Sequence, residues 1–222
     1  MSEYHGLRCR GLARPRSLAV IEKLLTEIKT LSLIQGRLSF DVCPVKKVED
    51  GVIHLADGTK LQAPVAAHRL KRASQLFMGV VTLGEEVGEA ISSRFANGSR
   101  LEAIILDEVA NFCLMKAVTE LEQDGAREAK LRGLTISGPL SPGDDGFELS
   151  TQATILERVN APAIGVSISS ASMMLPRHSL TVVYGLGRSM PTWSQLKNCE
   201  GCRSREKCPH RLALEGQTLQ NE

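Results

Sequence analysis

A chain of 222 residues with 42% hydrophobic composition carries enough apolar material to bury a core. Its formal charge of +2, spread over 27 basic and 25 acidic residues without a run of either sign, excludes an electrostatic argument for a nucleic-acid or membrane partner. The opening segment MSEYHGLRCRGLARPR lacks a signal-peptide apolar region and no stretch has bilayer-spanning length, so the expected address is the cytoplasm.

Over residues 17–34, Leu18, Ile21, Leu24, Leu25, Ile28 and Leu31 recur at helical spacing, with Ser17 placed as N-cap after Pro15. Alternation around Asp50-Gly51 and Asp57-Gly58 predicts short antiparallel strands joined by tight turns, with His54 inside one of them. The apolar run from residue 76 reads as a buried strand. A helix follows it and stops at Asn97-Gly98. Ser99 and Glu102 have capping-box spacing at the head of a second helix over 99–123, apolar on most sides. The exposed stripe of that helix carries Asp107, Glu108 and Asn111, which as ordinary solvated groups are assigned no chemistry.

A charged connector leads to a short strand at 133–138, a turn-rich loop at 139–150 and a helix from 151 capped by Ser150. Two β-rich segments, 163–169 and 179–187, are joined by SASMMLPRH. Beyond them Cys199, Cys202 and Cys208 crowd into ten positions. In a reducing compartment that spacing favours a metal over disulfides. Two metals fit: an iron–sulfur cluster, whose loops end in a similar Cys-Pro pair, or zinc held by the three cysteines and His210. Cys113 reads as a small buried hydrophobe, while Cys9 and Cys43 stay unassigned except as possible fourth ligands.

The loop SPGDDGFELSTQ, with Ser141, Pro142 and Gly143, and the turn holding Met173, Met174, Pro176, His178 and Ser179 resemble the activation domain of cobalamin-dependent methionine synthase. Small stand-alone relatives of that domain end in a similar cysteine pattern. The resemblance spans roughly residues 75–187. It implies an α+β fold, a twisted, mainly antiparallel sheet with packed helices. Residues 1–75 form an N-terminal helix and hairpin region, 76–190 the activation-domain-like core, and 191–222 a cysteine-rich extension.

The implied activity is reductive activation of a corrinoid cofactor, in which cob(II)alamin becomes cob(I)alamin and S-adenosylmethionine supplies a trapping methyl group. The implied ligand-binding residues are Ser141, Pro142, Gly143, Asp144, Met174, Pro176, His178 and Ser179. The implied partners are a corrinoid protein or corrinoid-dependent methyltransferase and an electron donor. Three positions depart from the family pattern. Its ligand loop runs Arg-x-x-x-Gly-Tyr, where this chain has Pro139, Gly143 and Asp144, and an acid ahead of the methionine-proline turn is replaced by Ser170. Proline cannot make a charged fork to a carboxylate.

The expected function is therefore an accessory electron-transfer protein for corrinoid activation, with an iron–sulfur cluster on Cys199, Cys202 and Cys208. The alternatives are an S-adenosylmethionine-dependent reactivator with a rebuilt site, and a zinc-stapled scaffold.

Overall fold

The computed structural model describes residues 15–144 and 146–194 together with 197, 200 and 206. Helix α1 (Pro15–Thr30) starts two residues before the expected cap and ends four before the expected stop. Its stripe is only partly inward: Ile21 and Leu24 are buried, whereas Leu18 and Leu31 face solvent.

Strand β1 (Arg37–Glu49) runs antiparallel to β4 (Gln75–Thr82) as far as Pro44, then shifts register after Val45 and pairs with β2 (Val52–Leu55). A proline at the changeover suits the chemistry, because it has no N–H to give a ladder. β3 (Lys60–Gln62) completes the meander, and α2 (Ala66–Arg69) leads back to β4. Helix α3 (Glu86–Ala96) and helix α4 (Arg100–Leu131) follow. Then come β5 (Thr135–Ile136), α5 (Thr151–Arg158), a 3-10 turn (Ala161–Ile164), β6 (Ser167–Ile168), β7 (Met174–Leu175) and β8 (Ser179–Gly187).

The main sheet has the order β3-β2-β1-β4-β8-β5 with antiparallel neighbours, and β6 with β7 makes a separate hairpin. The architecture is α+β, as expected. Strands β4 and β8 are apolar nearly throughout because both of their faces are covered. Leu76, Met78 and Val183 join one core with Phe147, Ile155 and Leu70. Phe77, Val81, Val182 and Tyr184, at the alternate positions, join a second core with Ile21, Leu24, Ile91 and Ile105. One face of the sheet thus carries α1, α3 and α4, and the other carries α2, α5 and the loops around them.

Four local expectations are corrected. The segment after residue 123 is not a connector, because α4 continues through Asp124-Gly125 to Leu131. Gly125 is buried there, and a β-carbon on it would meet Ile136 at 3.0 Å and Phe77 at 3.3 Å, so the glycine permits helix–sheet contact instead of ending the helix. Ser99 and Glu102 form no capping box. Glu102 pairs with Lys23 at 2.7 Å and with Arg94 at 3.6 Å, tying three helices together, because two cations on α1 and α3 compete for it more strongly than one peptide N–H. Ser150 makes no side-chain cap, and the Thr151 hydroxyl instead donates to the Glu148 carbonyl. The 163–169 segment holds the end of a 3-10 turn and a two-residue strand, whose partner β7 lies inside the expected connecting loop.

Candidate functional site

The loop between β5 and α5 is built by backbone hydrogen bonds and docked on the β3–α2 connection. Asp144 N donates to Ser141 O and Gly143 N to Phe147 O, each at 2.9 Å. Val65 N and Ala66 N both donate to Gly146 O at 3.1 Å, and Glu148 N donates to Gln62 O at 3.1 Å. The buried Phe147 side chain anchors the loop in the core. Pro142 is buried too, while Gly143 is exposed.

Asp144, at the position of the family's tyrosine, turns inward. Its Oδ2 accepts from the Ser141 backbone N–H at 2.9 Å. Burial raises its carboxyl above the ordinary range, opposed by that N–H and by the charge of Arg69.

Pro139, at the position of the family's arginine, has its carbonyl capped by the indole N–H of Trp193 at 3.2 Å. A β-carbon on Gly138 would lie 2.4 Å from both the ring and the backbone of Trp193, so the chain leading to the C-terminal extension lies directly against this loop. Arg69 stacks over the indole at 5.3 Å from the ring centroid. At the two positions where the sequence resemblance expects an arginine and a tyrosine, Pro139 and Asp144 are thus satisfied within the protein. They do not fit S-adenosylmethionine through the arginine's charged contact.

The second stretch divides between the two faces of the sheet. The buried Gln152 amide donates to the Ser172 carbonyl at 3.2 Å and so links the end of the first loop to the start of the second. Met174 packs against the same core as Phe147, while Met173 and Leu175 are 60% and 52% exposed. Leu149, 43% exposed, adds to the apolar rim beside Gly143.

His178, by contrast, crosses to the helix side. It was expected among the ligand-binding residues of the turn, yet it is 3% exposed and its Nε2 lies 3.1 Å from Oδ1 of Asp107 on α4. Asn111 Nδ2 donates to the other oxygen of Asp107 at 3.3 Å. The hydrogen bond from His178 holds the Asp107 carboxyl below its usual range, against burial and with help from Arg177. The Ser179 hydroxyl is engaged with Thr82 Oγ1 and the Pro176 carbonyl, both on or beside the sheet. His178 is thus part of the sheet-to-α4 contact, whereas Ser179, in phase with Val183 and paired with Thr82, stays on the other face of the sheet within the strand framework. The pairing with Asp107 was missed because Asp107 and Asn111, four apart on one helix face, show no sign in the sequence of what lies opposite.

Cys199, Cys202 and Cys208, with Cys9 and His210, lie outside the described residues. Among the described residues no group of three metal-ligating side chains comes together. Cys43 is 1% exposed, its Sγ donates to Asp41 Oδ2 at 2.9 Å, and Arg158 donates to it. Burial and the Asp41 carboxylate push its thiol up to about 11. It is a sealed thiol, poorly placed to be a fourth ligand. Cys113 is half-buried, and burial raises its thiol above the ordinary value.

No protein-family model matches the chain, and no curated protein matches it significantly in sequence. Among solved structures, the crystal structure of the MetH reactivation domain bound to AdoHcy matches with a TM-score of 0.60 and 15% identity, covering 93% of this chain and 75% of that one. At this identity the likeness concerns the fold. With the antiparallel sheet and its helix layers, it shows that this chain has the fold of the MetH reactivation domain.

Proposed function

We propose that the chain is an accessory protein for the reductive activation of a corrinoid cofactor carried by a partner protein. The reading rests on the fold likeness to the MetH reactivation domain over 93% of the chain. The loops at 139–152 and 172–176 supply the surface. Asp144 is turned inward, and the exposed side chains of these loops are the apolar Leu149, Met173 and Leu175 together with the polar Glu148 and Ser150. An exposed apolar rim around an ordered backbone is what a docking surface for a partner offers. Of the eight ligand-facing residues expected from the sequence, Ser141, Pro142, Gly143, Asp144, Met174 and Pro176 remain in this proposal. His178 and Ser179 support the strand beneath it.

Cys199, Cys202 and Cys208 would hold an iron–sulfur cluster, since closely spaced thiolates are the donors such clusters take, with a fourth ligand supplied from elsewhere, and a cluster held there would supply a one-electron carrier. Reduction of cob(II)alamin to cob(I)alamin takes one electron, drawn from a low-potential donor protein. The chain's contribution is to seat the corrinoid protein against the loop rim.

The test starts with protein purified without oxygen. Iron and acid-labile sulfide in parallel amounts, both lost in Cys202→Ser, together with spectroscopic reduction of added cob(II)alamin on supplying dithionite, are the expected results. Stoichiometric zinc without sulfide would turn the cysteines into a structural staple. An intact cluster with no corrinoid interaction would sink the proposal.

A second reading has one observation in its favour: the matching structure contains AdoHcy. If this chain binds S-adenosylmethionine it must do so without an arginine at 139. Calorimetric titration decides between the readings, because micromolar binding would favour S-adenosylmethionine-dependent reactivation.

A further inference from the structure

At the end of the sheet where α4 stops, three arginines from three separate segments line one cleft of about 850 Å³. Arg72 comes from the turn before β4, Arg132 caps α4, and Arg188 follows β8. Ser74, Gln75 and Ser189 add polar lining, and among the described residues no acidic side chain lines it. Among the described residues no carboxylate pairs with Arg72 or Arg188. Arg132 is partly engaged, with Nη1 on Glu128, which leaves the rest of its guanidinium fork free to bind elsewhere.

The backbone fixes this convergence. A β-carbon on Gly187 would lie 2.4 Å from the Arg72 carbonyl oxygen, so the turn and the strand end meet because residue 187 has no side chain. Ser74 donates to the Leu186 carbonyl from its backbone N–H at 2.8 Å and from its hydroxyl at 3.2 Å. The Thr135 hydroxyl donates to the Gly187 carbonyl at 2.9 Å and accepts from Met190 N at 2.8 Å. These bonds hold the carriers of all three arginines in register. Like charges gathered on one concavity repel each other, modestly at an exposed site, and an anion that accepts from their forks reverses the sign.

We propose that this cleft binds a small molecule carrying two or more phosphate groups. Guanidinium forks match phosphate oxygens in pairs, and the volume lies within the usual range for small-molecule sites and exceeds what a single phosphate fills. The cleft is lined by none of the loop residues assigned above to corrinoid docking, so it stands or falls independently of that function.

Inorganic pyrophosphate is the probe, titrated calorimetrically into the full chain at about 150 mM salt, where loose ion pairing is screened. The expected result is saturable binding of one equivalent, weakened about ten-fold or more when Arg72→Ala and Arg188→Ala are combined. Both side chains are exposed, so the double variant folds, and an unchanged thermal midpoint checks this. Arg100→Ala, which alters an exposed arginine at the far end of α4, should leave binding unchanged. Absence of saturable binding, or equal weakening by Arg100→Ala, would overturn the site. So would an acidic peptide that binds through Arg72 and Arg188 while pyrophosphate does not, since the cleft would then recognise a protein surface.

Discussion

The indole N–H of Trp193 donates to the Pro139 carbonyl at 3.2 Å, fastening the chain beyond β8 to the loop between β5 and α5. Trp193 is the sole tryptophan of the sequence and is only partly exposed, so the emission comes from this one indole, held by Pro139 and stacked under Arg69. Gly138→Ala places a methyl group where the ring and its own backbone already sit. Such overpacking should cost about 1–3 kcal/mol and shift the emission to the red as the indole moves into water. Urea unfolding and a fluorescence spectrum check both effects. An unshifted spectrum with unchanged stability would show that the contact is dispensable.

The Asp107–His178 pair makes stability depend on acid. Because the folded state holds the Asp107 carboxyl below its ordinary 3.8, the pair contributes stability above that value and loses it as the pH falls through the folded pKa. Asp107→Asn should therefore lower stability at pH 7 by less than about 1 kcal/mol, since the carboxylate is 39% exposed and screened. It should also flatten the decline on the acid side. His178→Ala, which empties a buried position, should cost more, about 2 kcal/mol. Denaturant titrations at a series of pH values separate the two variants.

Tyr184 is fully buried, packs edge-on against Phe77 at 6.1 Å between centroids, and has no hydrogen-bond partner for its hydroxyl among the described residues. Burial and the nearby Glu122 carboxylate push the phenol well above its normal range. Removing a buried, unsatisfied hydroxyl while keeping the ring should be stabilising, by about 1 kcal/mol for Tyr184→Phe. A lower unfolding midpoint for that variant would mean that the hydroxyl is satisfied after all.

Cys43 should resist alkylation in the native protein at pH 8 and react once the chain is denatured, as peptide mapping by mass spectrometry would show. The folded thiol titrates near 11 against an ordinary 9.0. Its contribution is therefore complete below 9.0 and declines as the pH climbs towards 11, because the unfolded chain gives up this proton first. Rapid native labelling would contradict the sealed position on β1.

The sequence by itself determined the amphipathic α1 and the existence of the two apolar central strands, because periodicity and local chemistry enforce them, while the α+β class came from the family resemblance carried by short motifs. It also placed the loop of Ser141, Pro142, Gly143 and Asp144, since proline and glycine constrain a turn wherever it sits. Contacts between distant segments were decided only by tertiary structure. The segment after residue 123 read as a charged connector and instead continued α4, with Gly125 against the sheet because the surface opposite left no room for a side chain. Glu102 matched a capping motif but was claimed by Lys23 and Arg94 from two other helices. His178 followed the loop residues in sequence, yet the alternation of β8 carried it to the opposite face, onto Asp107, 71 residues away. Local patterns specify which elements form; which side chains then meet depends on how those elements pack, and that is where Trp193 came to cover Pro139 and three arginines came to share one cleft.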